Sequence, residues 1–332
     1  MSETTTAPQA ANKSIFQRLG ALSTAGPLMS LIVLVVVLSF ASPFFFTVQN
    51  LANVFQQISV LAIIALGATF VIISGGIDLS VGSVAALAGM VAGVTYSQLE
   101  FPMMASLLLA LLAGAIAGLI NGALIVFGHV PPFVATLAML SIARGVTLVI
   151  SDGQPISGFS DWFRQTTKVT VGEVLPVIVL FVLLIYLAGA LYLKYRPGGR
   201  FIYAVGGNEE VARLAGINVR AVKLWIYVAA GLLAALGGLA LTSRLNSAQP
   251  TAGEGLELDV IAAVVIGGTS LSGGVGKVSG TLIGALIIGV LRNGLNLLNV
   301  SSFWQAVVIG VVIAAAVMID TLGRRRSNAQ SG

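Results

Sequence analysis

The chain has 332 residues, of which 57% are hydrophobic and only 9% charged, with a formal net charge of +5 and a mean hydropathy of +1.00. A soluble globular domain carries about 25% charged residues, so this composition describes an all-α, polytopic membrane protein. Cysteine is absent and histidine occurs once, which leaves no disulfide framework, thiol chemistry or zinc cluster to expect, and the basic excess lies in loops rather than on a basic face, so nucleic acid is not an expected partner.

Residues 1–26 are polar, with Lys13 and Arg18 and no cleavage-type pattern, and read as a cytoplasmic tail rather than a signal peptide. About 20 apolar residues are needed to cross the hydrocarbon core. Ten such runs follow, at approximately 27–46, 51–73, 79–97, 103–126, 133–150, 174–193, 221–242, 258–271, 279–298 and 303–322. They make residues 27–322 one transmembrane domain, with 323–332 as a second cytoplasmic tail.

From a cytoplasmic N-terminus, an even number of crossings returns Arg324, Arg325 and Arg326 to the cytoplasm and places the 194–223 loop there as well. Twelve Lys and Arg residues then lie inside, and only Arg164, Lys168 and Arg244 outside, which is the positive-inside bias. An eight- or nine-span layout loses that symmetry or makes the weak run at 258–271 re-entrant. The 151–172 loop is the longest external one and a surface for an extracytoplasmic partner.

Two Gly-rich blocks repeat a theme. Residues 60–69 (VLAIIALGAT) and 260–269 (VIAAVVIGGT) share Val, Ala, Gly and Thr at matching places, and each is followed by Ser-Gly-Gly. An internal duplication around a transport pathway is one reading; recurrence of small residues in closely packed membrane helices is the other. Parity gives both blocks the same direction.

Between the second and third runs, GGIDLSVGS at 75–83 places Asp78 next to apolar spans, where a carboxylate must face protein, water or a helix N-terminus. Either the helix breaks here and its polar turn lines a pathway, or Asp78 or Ser80 caps the third span. Arg144 and Arg292 sit inside spans, and Asn121 and Asn293 on neighbouring stretches; Arg144, near mid-span, reads as facing the bundle, whereas for Arg292 a bundle-facing functional role and snorkelling to an interface both stay open. Asp259 opens its span and reads as an N-cap. Residues 272–277 (SGGVGK) lack the spacing of a phosphate loop, His129 has no second metal ligand, and no nucleophile, base and orienter come together, so neither a catalytic site nor a metal site is expected.

The 194–223 loop holds six of the 17 Lys and Arg residues and contains a short helix with its own signals. Asn208 is an N-cap, Glu209 and Glu210 put negative charge in the first turn, and Gly216 suits the left-handed position after the last turn. That predicts a helix over 209–215. Val211, Leu214 and Ala215 fall at i, i+3 and i+4, making one apolar stripe flanked by Glu210 and Arg213. The stripe suits a groove on a soluble partner; the bilayer surface is the other possible rest, poorly served by two glutamates.

Four stretches carry a resemblance: GGNEEVARLAGINV (206–219), SGGIDLSVGS (74–83), 247–277 and NGLNLLNVSS (293–302). In this order they are similar to the membrane permease subunits of bacterial ribose-type sugar ABC importers, over nearly the whole chain. The resemblance implies a multi-pass protein of the bacterial inner membrane that moves a monosaccharide, most of all ribose. Its implied partners are a second copy of the permease, a cytoplasmic ATPase that binds the ATP and magnesium, a periplasmic sugar-binding protein and membrane lipid. It implies that Gly207, Asn208, Glu209, Glu210, Val211, Arg213, Leu214, Ala215 and Gly216 form the coupling helix on which the ATPase acts. It also implies an inverted relation between halves, against the common direction that parity gives the two Gly-rich blocks. Asp78, Ser80, Asn121, Arg144 and Asn293 are the candidate groups along the translocation path. The rival reading is an ion-coupled secondary sugar transporter, which calls for paired intramembrane carboxylates that the spans do not offer.

Overall fold

The computed structural model describes residues 25–171 and 175–330, so the expected N-terminal tail lies almost wholly outside the described residues. In chain order the elements are α1 (Ala25–Ala41), α2 (Val48–Ile73), α3 (Val81–Ser97), α4 (Met103–Val126), α5 (Pro132–Ser151), β1 (Ile156–Ser157), α6 (Asp161–Gln165), β2 (Thr170–Val171) and β3 (Leu175–Pro176). Then follow α7 (Val177–Tyr195), α8 (Pro197–Gly207), α9 (Glu209–Leu214), α10 (Val219–Leu245), β4 (Ser247–Ala248), α11 (Leu256–Ile266), α12 (Val278–Leu297) and α13 (Ser302–Gln330). The protein is a polytopic, all-α membrane protein.

Among the described residues, six helices (α2, α4, α5, α7, α10 and α12) are long and apolar enough to cross a bilayer. The helix α1, the helix α3 and Ser302–Met318 within α13 are shorter apolar segments. The run expected at 258–271 is different. Helix α11 has 11 residues, a rise of about 16 Å, roughly half the hydrocarbon thickness. It enters the bundle as a half-helix, and the loop 267–277 carries the chain on to α12.

Helix α10 is the central packing element, against α4, α2 and α3. Glycine makes this possible. A Cβ on Gly231 of α10 would strike the Gly114 carbonyl of α4, one on Gly114 would strike the Gly231 carbonyl, and one on Gly118 would strike the Tyr227 carbonyl. In lipid there is no hydrophobic drive between helices, so backbone approach of this kind is what supplies the contact. Helix α2 is buried nearly all round, whereas α5 and α7 each turn most of their length outward.

One end of the bundle is closed by residues 151–171. Strand β1 pairs antiparallel with β4, Ile156 opposite Ala248, and β2 pairs with β3. Phe159 and Phe163 are buried there with Leu239 and Ala248, and Ser243 Oγ donates to the Phe163 carbonyl at 2.6 Å.

At the opposite end the two Gly-rich blocks meet. Helix α2 ends with Gly75 at φ +83 and the Gly76 N–H donating to the Val71 carbonyl at 3.0 Å. Helix α11 ends in the same way, with Gly268 at φ +86 and the Thr269 N–H donating to the Val264 carbonyl at 3.1 Å. Both are left-handed glycine stops. The Gly274 N–H then donates to the Ile73 carbonyl at 2.8 Å, so the blocks run in the same direction toward one junction. They differ in where the helix stops. Gly67 is followed by Ala68, and the helix continues to Ile73; Gly267 is followed by Gly268, and the helix ends. A Cβ at residue 268 would oppose the left-handed stop, and glycine has none.

Candidate functional site

The short helix is built as its capping residues require. Asn208 Oδ1 accepts from the Val211 N–H at 3.0 Å. At the other end Gly216 has φ +83, its N–H donates to the Arg213 carbonyl at 3.0 Å, and the Ile217 N–H donates to the Ala212 carbonyl at 3.1 Å. Ala215 is therefore the C-cap, and α9 stops at Leu214. The residue that seats the helix is Ala212, buried with Val205 and Val219. The stripe faces away from the chain: Val211 is 59% and Leu214 83% exposed, and Ala215, Glu210 and Gly207 are exposed beside them.

Glu209 turns inward. Lys223 Nζ of α10 lies 2.5 Å from Glu209 Oε2, and Arg213 Nη2 lies 3.4 Å from Oε1. Helix α8, which leads into α9, is pinned to the glycine junction. Tyr203 Oη donates to the Gly276 carbonyl at 2.8 Å, and burial pushes its phenol above the ordinary range, which keeps it a donor. A Cβ on Gly206 would strike the Ile73 carbonyl. The short helix, the two Ser-Gly-Gly turns and the first turn of α10 form one contiguous end of the molecule.

Three of the pathway candidates come together. Asp78 Oδ1 accepts from the Ser80 N–H at 2.8 Å and from Ser80 Oγ at 2.6 Å, and Ser80 Oγ accepts from Asn121 Nδ2 at 3.0 Å. All three are buried, and Asn121 Oδ1 meets no partner. Ser80 occupies the N-cap position of α3, but its hydroxyl serves Asp78 rather than the first turn. Arg144 and Asn293 lie elsewhere. Arg144 Nη1 donates to the Pro250 and Ala252 carbonyls at 2.5 and 2.9 Å, bracing the loop before α11. Asn293 and Asn50 exchange amide hydrogen bonds of 2.7 and 3.1 Å between α12 and α2.

One polar cavity gathers side chains that lie far apart in the sequence. It measures about 280 Å³ and is lined by Gln57, Arg244, Glu254, Asp259 and Arg292, with aliphatic walls from α2, α10 and α11. Arg292 Nη2 lies 2.7 and 2.8 Å from the two Asp259 oxygens. Among the described residues no acceptor meets the Arg244 guanidinium. The signal in the sequence is an arginine inside one span and an acid opening the weak run at 258–271; Asp259 also suits an N-cap, and Arg292 suits a bundle-facing role and snorkelling equally. Among the described residues no three His, Asp or Glu side chains gather as a metal site.

A family profile described as "Branched-chain amino acid transport system / permease component" matches residues 50–317. The ribose import permease protein RbsC of Haemophilus influenzae is 49% identical over 90% of this chain and 93% of its own length. The chain belongs to this family, as a ribose-type ABC importer permease. The Bacillus subtilis ribose import permease protein RbsC is likewise 49% identical, over 91% of this chain and 94% of its own. The D-allose transport system permease protein AlsC of Escherichia coli is 40% identical over 90% and 91%. No solved structure matches this permease chain. An ABC importer permease is a multi-pass inner-membrane transport subunit, and this one carries its matched region across every helix from α2 to the apolar part of α13.

Proposed function

We propose that the chain is the transmembrane subunit through which an ATP-driven importer moves ribose, with hydrolysis performed by a separate ATPase that binds ATP and magnesium. The observation that carries the reading is 49% identity, over 90% of this chain, to a permease named for ribose import. The 40% identity to a permease named for D-allose makes another monosaccharide the nearest competitor.

In this reading all ten apolar segments belong to the membrane domain, both termini are cytoplasmic, and the glycine junction is the cytoplasmic end. Charge supports it: Lys194, Arg196, Arg200, Arg213, Arg220 and Lys223 cluster around the short helix. Two copies of the permease form the channel. The ATPase docks on α9 through Val211, Leu214 and Ala215, with Glu210 and Arg213 at the rim and Gly207, Asn208 and Gly216 setting the helix ends. Exposed aliphatic side chains on a helix of six residues support this, because such a helix does not persist without tertiary support.

Movement of α9 passes through Glu209 and Lys223 into α10. That helix has 27 residues, about 40 Å of rod, and it reaches from the short helix to Arg244 at the far end. Asp78, Ser80 and Asn121 act as one unit near the inner end of the path, and Arg144 and Asn293 at separate points along it. The periplasmic sugar-binding protein meets the 151–172 cap, where Trp162 is exposed.

Reconstitution into liposomes with and without the ATPase tests the reading. ATP-dependent ribose uptake is expected only when the ATPase and binding protein are both present; uptake driven by a proton gradient without ATPase would mean an ion-coupled transporter instead.

A further inference from the structure

The polar cavity beside the half-helix is a feature that the coupling end leaves unexplained. Its lining balances: two guanidinium groups, Arg244 and Arg292, stand with two carboxylates, Glu254 and Asp259, and one amide, Gln57. A site of one charge sign would recruit the opposite ion. A balanced one suits a neutral molecule with many hydroxyls, because each hydroxyl can donate to a carboxylate and accept from a guanidinium or amide.

Ionisable groups within membrane-spanning segments are expensive and mark substrate routes, as do helices interrupted within the bundle. Both features converge here. Asp259 belongs to the 11-residue helix α11, and its partner Arg292 to α12, the helix that follows the glycine-junction loop. Part of the donor capacity is idle. Asp259 and Arg292 satisfy one another, but Arg292 Nε is buried without a partner and Arg244 has none among the described residues. The walls also include Leu61 and Leu241, which suit the C–H faces of a sugar ring.

We infer that this cavity, lined by Gln57, Arg244, Glu254, Asp259 and Arg292 of a single chain, is a transient binding site for a neutral monosaccharide on its way across. The Asp259–Arg292 pair is the element that a hydroxylated ligand loosens, exchanging ion-pair contacts for sugar contacts as it passes. The inference rests on the importer reading and adds to it the place where the sugar pauses.

The cysteine-free sequence supplies a clean test. Single variants Leu241→Cys and Leu256→Cys, each in the complete importer with its ATPase and binding protein, are treated with a bulky methanethiosulfonate. Uptake of radiolabelled ribose is compared with the same variant before treatment and with the untreated and treated cysteine-free parent. Modification is expected to lower uptake at least tenfold, with recovery after dithiothreitol and with ATP hydrolysis still stimulated by the binding protein. Ribose at high concentration is expected to slow modification at least threefold, whereas ribonate at matched osmolarity does not. Full uptake by the modified variants, failure of the reagent to reach either cysteine, or equal modification rates with ribose and ribonate would overturn the site. A parent complex with no ATP-dependent ribose uptake would overturn the importer reading itself, a result distinct from intact uptake that ignores the modification.

Discussion

Lys223 Nζ and Glu209 Oε2 stand 2.5 Å apart across the chain reversal between α9 and α10, so the short exposed helix is joined by charge to the longest rod in the centre of the bundle. Glu209 is half-exposed, and a pair of this kind contributes about 0–1 kcal/mol to stability. Its consequence lies in transmission. Lys223→Met is expected to leave the permease folded and the ATPase bound, and to lower the number of sugars moved per ATP by roughly fivefold, the equivalent of about 1 kcal/mol in the productive step. An unchanged ratio of ribose uptake to phosphate release would remove this pair from the mechanism.

Leu214 is 83% exposed and supports nothing within its own chain. Leu214→Asp is expected to change permease stability by less than about 0.5 kcal/mol, as exposed substitutions do. Loss of ATPase during co-purification, with an unchanged melting temperature for the permease alone, is the expected outcome. An ATPase complex that survives intact would place the docking surface elsewhere.

The glycine contact between α4 and α10 separates two kinds of glycine. Gly231→Ala drives a methyl group into the Gly114 carbonyl and is expected to destabilise the bundle by about 1–3 kcal/mol. Gly145, within α5, has no atom near an added Cβ, so Gly145→Ala is expected to stabilise its helix by roughly 0.5–1 kcal/mol. Thermal unfolding in detergent, followed by circular dichroism, should move in opposite directions for the two variants. Shifts of the same sign would contradict the packing described.

Asn50 and Asn293 satisfy one another in a buried setting. Asn293→Leu leaves the Asn50 amide with only part of its partners, an expected loss of about 1–3 kcal/mol. The double variant Asn50→Leu/Asn293→Leu is expected to recover part of that loss. A thermodynamic cycle with no coupling between the two positions would show that the amides act independently.

Much of this architecture is legible in the sequence because a bilayer leaves few options. Backbone groups in lipid must bond within a helix, so apolar runs of sufficient length announce helices, and every run marked in the sequence contains one. The caps of α9 were legible for a related reason: Asn208 and Gly216 act on groups three or four residues away, and both made the bonds their chemistry suggests. The exception is instructive. Val211, Leu214 and Ala215 are exposed together, but Ala212, the residue that seats the helix, has too small a side chain to stand out.

What spacing could not supply was the pairing of distant residues. Asn121 joins Asp78 and Ser80 only because α4 packs beside the loop before α3. Asp259 suits an N-cap and Arg292 either a bundle-facing role or snorkelling, and they share one cavity with Arg244 only because α11 stops at Gly267 and Gly268 and lies against α12. The sequence by itself determined a helical membrane protein, its helical segments and the ends of its short exposed helix, since hydropathy, capping and glycine stops act within a few residues. The tertiary structure alone decided which polar groups meet, because in a bundle that depends on how closely glycine lets two backbones approach and on where a helix too short to cross is allowed to end.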